Sequence, residues 1–168
     1  MQEECFSCRK PKAISHCGIC HEPLCKNCAQ FLEASTFSFR QTVPEELSHT
    51  YYCSPCYNEK IEPALEAYNE VMVRARAVYF FFTTQKKNFV PVIKRARESI
   101  HVEGCVDRDE TILRLAFRAA EDGYNGIIQG EVSSKKVRDE GYQKSVWQGT
   151  GVPAHLDEIK LERSAENH

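Results

Sequence analysis

Several patterns that mark common protein classes are missing from this chain of 168 residues. It has no Gly-rich phosphate loop followed by lysine, no nucleophile elbow and no H-E-x-x-H motif, so no motif indicates an enzyme. No apolar run approaches the ~20 residues that span a bilayer, and the opening MQEECFSC lacks the basic segment and apolar core of a signal peptide. The net charge of −2 gives no global attraction for nucleic acid or membrane. These absences predict a soluble, cytoplasmic protein that is not an enzyme.

Cysteine, in contrast, is abundant. Eight of the nine cysteines form four C-x-x-C pairs: Cys5/Cys8, Cys17/Cys20, Cys25/Cys28 and Cys53/Cys56. Each pair has the spacing of a knuckle that turns the chain and points two thiolates at one metal ion. Eight thiolates make two tetrahedral sites, for which Zn²⁺ is the default ion. Because four thiolates close the coordination sphere, we expect both metals to be structural.

The spacing of the pairs allows two ligation schemes. In a sequential scheme, the first two pairs hold one ion and the last two pairs hold the other. In a cross-brace scheme, the first and third pairs share one ion, and the second and fourth pairs share the other. In either scheme the metals are obligatory, because residues 1–60 have too few apolar side chains to form a core of their own.

Part of this segment resembles a FYVE-type zinc finger. The resemblance is carried by HCGICHEPLCKNC at 16–28, VPEEL at 43–47 and YCSPCY at 52–57, and it covers about the first 60 residues. It implies cross-brace ligation. Zinc 1 is then held by Cys5, Cys8, Cys25 and Cys28, and zinc 2 by Cys17, Cys20, Cys53 and Cys56.

The chain departs from the FYVE pattern where members of that family recognise phosphatidylinositol 3-phosphate. It reads AISHCG at 13–18, where they carry R-[RK]-H-H-C-R, and Tyr52 stands in place of the arginine before the fourth pair. The upstream W-x-x-D is absent. Each four-thiolate zinc centre is formally −2, and flanking glutamates offset the nearby basic residues. A phosphoinositide-binding membrane adaptor is therefore an alternative function rather than the expected one.

A RING-like ubiquitin ligase is a further alternative. Its looser spacing fits if His21 replaces Cys20 as a ligand, which discards one intact C-x-x-C pair. We instead expect His16 and His21 to be exposed or hydrogen-bonded. Three phenylalanines are expected to pack within the finger rather than to form a membrane-inserting tip: Phe6, Phe31 and Phe37.

Residues 59–77 are predicted to form a linking helix. Apolar side chains recur there at steps of four and three residues, which makes one stripe along a helix face. The stripe consists of Ile61, Leu65, Tyr68, Met72 and Ala75. It either packs on the protein's own second domain, which we favour, or forms a short two-stranded coiled coil.

The rest of the chain predicts a small α+β domain. The predicted elements are strands at 78–84, 99–106, 126–132 and 145–152, and a helix at 110–122. Residues 89–97 fit either a strand or a short helix, and 133–144 are predicted to be an exposed linker. The predicted organisation is α+β, with a FYVE-like double zinc finger at 1–58, the linking helix at 59–77, a ββαββ-type domain at 78–153 and a polar tail at 154–168.

A shorter part of this domain resembles YbjQ-like domains. LAFRAAEDGYNGII at 115–128 and QGTGV at 148–152 carry the resemblance. It implies oligomers that assemble through sheet and helix faces, and it assigns no binding residue.

Two other features of the second domain suggest a catalytic or a binding role. Cys105, the unpaired ninth cysteine, follows His101 by four residues, so a nucleophilic pair is conceivable, although a buried structural thiol is expected. One basic cluster, with Phe89 among its members, is expected to be a solvated face, and nucleic acid or an acidic partner is the alternative. The cluster consists of Lys86, Lys87, Lys94, Arg95 and Arg97.

Taken together, the sequence predicts a non-catalytic zinc-binding scaffold that holds two Zn²⁺ ions, binds a protein partner and self-associates. The metals would fix loops that present the long third insert, Phe31 to Leu47, to that partner.

Overall fold

The computed structural model describes residues 3–85 and 90–166. The fold is mixed α+β, as the sequence predicts. The chain divides into two compact units, Met1–Glu70 and Val71–His168.

The first unit is built from very short elements. Two antiparallel ribbons pair strand β1 (Ser15–His16) with β2 (Pro23–Leu24), and β3 (Gln30–Phe31) with β4 (Tyr51–Tyr52). A single 3₁₀ turn, Glu45–Leu47, lies in the long third insert. Strands of two residues bury little surface, so they cannot stabilise this unit by themselves.

A small core includes residues from both ribbons. Its buried members are Cys17, Leu24, Leu32, Phe37, Leu47, Tyr52, Cys53 and Ile61. Tyr52 is fully buried, and its hydroxyl donates to the carbonyl oxygen of Glu46 at 2.7 Å and accepts from the backbone N–H of His49 at 3.0 Å. The third insert is therefore folded back onto the core.

The fourth cysteine pair leads into a helix. A helical turn α1 (Ser54–Cys56) continues through a π-helical turn (Tyr57–Ile61) into α2 (Glu62–Arg76). Within the first unit, Ile61 is buried and Tyr68 packs edge-on against Phe37, with ring centroids 5.4 Å apart. The first half of the apolar stripe thus packs on the cysteine-rich core, where packing on the second domain was predicted. At the other end of the stripe, within the second unit, Ala75 is buried and the neighbouring Arg74 donates to the carbonyl oxygen of Ala120 at 3.2 Å.

The second unit is a five-stranded sheet with α3 on one face. The strands are β5 (Tyr79–Phe82), β6 (Val92–Arg95), β7 (Ile100–Cys105), β8 (Gly126–Asp139) and β9 (Tyr142–Leu156). The order is β5-β8-β9-β6, and β7 also pairs with β9. Among the strand pairs of the described residues, β5 with β8 is parallel and the others are antiparallel. A last helix, α4, spans Glu158–Glu166. Residues 89–97, which were ambiguous in the sequence, contain strand β6.

Helix α3 (Arg108–Glu121) begins with a reciprocal cap. The Asp107 carboxylate accepts from the N–H of Glu110 at 2.7 Å, and the Glu110 carboxylate accepts from the N–H of Val106 at 2.7 Å. Leu115 and Ala119 bury its apolar face against the sheet. Gly149 permits this close approach, because a Cβ atom there would lie 2.8 Å from Thr111 Cγ2.

The prediction of an exposed linker at 133–144 is wrong. Strands β8 and β9, with 14 and 15 residues, form one long hairpin that pairs as far as Asp139 and Tyr142. Glu140 and Gly141 make its turn with φ angles of 49° and 89°, a pair of positive values typical of a two-residue type I′ turn. The hydrophobic pattern could not show this, because both faces of the far end are exposed.

None of the helices within 3–85 and 90–166 combines the length and the apolar composition that a membrane span requires.

Candidate metal centres

The structure brings the eight paired cysteines together in two groups of four. Cys5, Cys8, Cys25 and Cys28 form the first tetrad, and Cys17, Cys20, Cys53 and Cys56 form the second. The first and third pairs in sequence thus meet, as do the second and fourth, which is the cross-brace grouping. All nine cysteines of the chain are free thiols.

The donor set of each tetrad fits one metal ion. The four Sγ atoms of a tetrad lie within 4.8 Å of one another, and the Cys8–Cys25 and Cys20–Cys53 Sγ atoms are 3.7 Å apart. A tetrahedron with metal–sulfur distances of about 2.3 Å has sulfur–sulfur edges of about 3.8 Å. A disulfide, at about 2.05 Å, would need much closer sulfurs. Each tetrad is therefore positioned to hold a metal ion.

All four knuckles share one backbone hydrogen bond. The carbonyl oxygen of the first cysteine in each pair accepts from the N–H four residues later, at 2.8–3.1 Å. In the first two knuckles this places Arg9 and His21 in the left-handed region, with φ of 61° and 64°. In the fourth, the same bond from Tyr57 to Cys53 starts the helix. The C-x-x-C spacing thus fixes the local turn as well as the donor atoms.

The thiols within a tetrad differ in acidity. Hydrogen bonds from the backbone at Cys8 and Cys25 lower the pKa of Cys5 to about 6. Burial raises the pKa of Cys17, but hydrogen bonds from the backbone at Cys53 and Cys20 outweigh it and lower the value to about 6.

Other thiols of the same tetrads hold their protons. A side-chain hydrogen bond with Cys25, together with burial, raises the pKa of Cys28 to about 12. Burial, then hydrogen bonds with Cys53 and Cys20, raise the pKa of Cys56. Four thiolates in one tetrad therefore require a cation among them to be ionised together.

The residues around the tetrads bear on the RING-like and the phosphoinositide-binding alternatives. Cys20 rather than His21 completes the second tetrad, and His21 is exposed. His16 is also exposed and lies 2.8 Å from the Glu3 carboxylate, from its Nε2 atom to Oε2. Tyr52, which the FYVE-type resemblance aligns with an arginine, is a core residue.

One packing prediction is wrong. Phe37 is buried and Phe6 packs against the core, but Phe31 is 59% exposed. It lies across the β3–β4 ribbon from Tyr51, which is 42% exposed, and the two rings meet edge-on with centroids 6.2 Å apart. The two residues form an exposed aromatic pair. No local pattern could reveal this pair, because Phe31 and Tyr51 are 20 positions apart in the chain and meet only through the strand register.

His101 and Cys105 do not form a pair. A bulge at Gly104, with φ of 70°, shifts the register of β7 between Val102 and Cys105. Cys105 therefore faces the core with Val102 and is 2% exposed, whereas His101 is exposed and lies 3.5 Å from the Glu103 carboxylate. The even spacing that suggested a shared face is cancelled by the extra residue.

The predicted basic cluster is described only in part. Lys86, Lys87 and Phe89 lie outside the described residues. Lys94 and Arg95 are exposed on β6, which pairs with the last residues of β9, Ala154 to Leu156.

Comparison with known proteins finds no family model, no curated protein and no solved structure that matches this chain. The geometry of the chain itself therefore carries the functional argument.

Proposed function

We propose that the first unit is a zinc-binding interaction module with two structural Zn²⁺ ions and no catalytic role. The observation that carries this proposal is the pair of interleaved all-cysteine tetrads. Four soft thiolates at tetrahedral spacing suit Zn²⁺, and a sphere of four protein ligands leaves no position for substrate or reactive water. When bound, Zn²⁺ neutralises the thiolates and fixes the knuckles.

The same geometry supports a FYVE-like, cross-brace type of finger. Each tetrad joins chain segments that are distant in sequence, since 33 residues separate Cys20 from Cys53. The two tetrads overlap along the chain, so neither half of the unit can open alone. Rigid presentation of surface loops follows from this linkage and is what an interaction module needs.

The contact surface for a protein partner is proposed to include Phe31 and Tyr51. Exposed aromatic side chains are the residues that most often anchor protein interfaces. Both rings lie on the ribbon beside the third insert, whose Leu32 and Leu47 are buried and hold it in place. The departure from the FYVE lipid motif favours a protein surface over a phosphoinositide headgroup. A cytoplasmic location and self-association of the chain are part of the same proposal.

Native mass spectrometry before and after chelation tests the metal part of this proposal. We expect two zinc ions per chain, and the same spectra report the number of subunits. Fewer than two ions, or bound iron, would contradict it.

The interaction part is tested with Phe31→Ser/Tyr51→Ser, with Ile159→Ser as a control on exposed α4. Proteins recovered from cells with the parent chain are purified and titrated against all three forms. Loss of two aromatic anchors should weaken the binding of a genuine partner by about 2 kcal/mol or more, roughly thirtyfold in affinity. The control substitution should leave the affinity unchanged. A partner that binds the double variant as tightly as the parent rules out this surface.

A further inference from the structure

The β8–β9 hairpin continues beyond the rest of its sheet. β5 pairs with β8 only as far as Gly130, and β7 pairs with β9 only from Trp147 onward. The two strands remain paired with each other beyond these points. We call residues 135–146 the arm. At about 3.3 Å per residue, its five paired residues per strand extend about 16 Å.

Burial does not account for the length of the arm. Every residue in 135–146 is exposed except Val137 and Val146, which are partly buried. Ordinary strands have about five or six residues, and an isolated two-stranded ribbon is only marginally stable in water. The arm is held in shape by continuity with the sheet and by its two-residue turn. A segment that adds little to the core is a candidate for contact with another molecule.

One face of the arm carries only hydrogen-bonding side chains without negative charge. Lys136 lies opposite Ser145, and Arg138 lies opposite Gln143. Side chains alternate between faces along a strand, so these four share one face. We call it the donor face. Lys144 and Asp139 form an ion pair at 3.0 Å on the opposite face.

The arm is basic in a weakly acidic protein. It contains four basic and two acidic residues and is therefore net +2, whereas the whole chain is net −2. Lys144 already neutralises one of the two acidic residues, Asp139. Within the described part of the chain, no carboxylate pairs with Lys136 or Arg138.

We propose that the arm binds double-stranded DNA through its donor face. The major groove of B-DNA, about 12 Å wide, admits a two-stranded ribbon. Lys136 and Arg138 would contact phosphates there, and Gln143 belongs to the residue types that read base edges. The major groove of double-stranded RNA is too narrow for such entry. A protein partner is less well matched to the donor face, because that face offers no apolar anchor and the exposed Tyr142 lies on the opposite face.

The test uses the full chain loaded with zinc and a fluorescein-labelled duplex. Anisotropy titrations with a duplex of about 20 base pairs, between about 50 and 200 mM NaCl, give the affinity and its salt dependence. In Lys136→Gln/Arg138→Gln we expect at least about tenfold weaker binding. Its slope of log affinity against log salt should be shallower by about two, for two lost phosphate contacts.

The matched control is Lys94→Gln/Arg95→Gln on β6. It removes the same charge where β6 pairs with the other end of β9, and it should bind like the parent chain. Equal losses in both variants would show that net charge, not the arm, drives binding and would overturn the proposal. So would failure of the parent chain to bind the duplex, or tighter binding to single-stranded DNA or to polyglutamate. Zinc content and circular dichroism confirm that each variant is folded.

This proposal concerns the second unit and involves no cysteine tetrad. Its failure would therefore leave the proposed zinc module untouched, and the reverse also holds.

Discussion

The strands of the first unit are two residues long, whereas β8 and β9 in the second unit have 14 and 15 residues. The first unit has a small core in which cysteines are members, and its eight thiols are drawn into two tetrads. The second unit buries α3 on a continuous sheet and contains one cysteine, which no other thiol approaches to form a metal-binding group among the described residues.

The two units offset the conformational entropy that a chain loses on folding in two different ways. A sheet with a covering helix compensates it with apolar burial and many ladder hydrogen bonds. A segment with few apolar residues needs a bound ion, whose binding free energy becomes folding free energy. The account thus predicts that metal removal and core substitutions act on different units.

Chelation should produce the largest effect. Structural zinc contributes about 10–16 kcal/mol to the folding of finger peptides, so a strong zinc chelator should unfold the first unit. Hydrogen exchange measured by mass spectrometry should show loss of protection across β1 to β4, with β7 to β9 still protected. Equal loss of protection in both units would contradict this difference between them.

A matched pair of cysteine substitutions tests the same difference between the two units. Cys17→Ser removes one ligand of the second tetrad and should reduce the zinc content below two ions per chain. Cys105→Ser should leave both ions bound and destabilise only the second unit, by about 1–3 kcal/mol, because it places a hydroxyl in a buried site. Native mass spectrometry and urea unfolding report the two results. Zinc loss in Cys105→Ser would contradict the assignment of this thiol.

Gly149→Ala tests the close packing of the second unit. The new Cβ would lie 2.8 Å from Thr111 Cγ2, and overpacking of this kind costs about 1–3 kcal/mol. Adding Thr111→Ser removes the clashing methyl group and keeps the hydroxyl that donates to the Asp107 carbonyl at 2.8 Å. The double variant should recover part of the loss in urea unfolding. No recovery would mean that the contact with the Thr111 methyl group is not the source of the loss.

The cap of α3 should contribute a smaller amount. Asp107→Ala removes the side-chain acceptor for the Glu110 N–H and should lower the free energy of unfolding by about 1 kcal/mol. Asp107→Asn keeps an acceptor and serves as the control. If both substitutions have the same effect, the hydrogen bond is not the cause.

The smallest effect is expected at the tip of the arm. Glu140 has a φ of 49°, which asparagine tolerates better than glutamate in a type I′ turn. Glu140→Asn should therefore raise the stability of the second unit by about 0.5–1 kcal/mol. A thermal unfolding scan with Lys135→Asn as the exposed control would detect it, and destabilisation would argue against this turn.

Much of the candidate site could be predicted from the sequence. The C-x-x-C spacing identified all eight tetrad cysteines, because two residues between thiols fix the knuckle turn. Their grouping came from the FYVE-type resemblance, since spacing alone allowed a sequential scheme as well. The exposed Phe31–Tyr51 pair depended on cross-strand register, which a local pattern does not contain.

The fold was predictable where one buried face produces a regular spacing of apolar residues in the sequence. Helix α3 shows an apolar face and a cap, and it was predicted within two residues of its observed bounds. The far half of the β8–β9 hairpin is exposed except for two partly buried valines and has no such spacing, so it was predicted to be a linker. The bulge at Gly104 likewise changes which side chains share a face without changing the apparent alternation.

The most direct test of the central claim is zinc K-edge X-ray absorption on the purified chain, with the metal content of the same sample. Two zinc ions per chain, each with four sulfur neighbours at about 2.3 Å and no nitrogen neighbour, are the expected result. A nitrogen ligand, fewer than two ions, or sulfur–sulfur bonds among the eight cysteines would contradict the account.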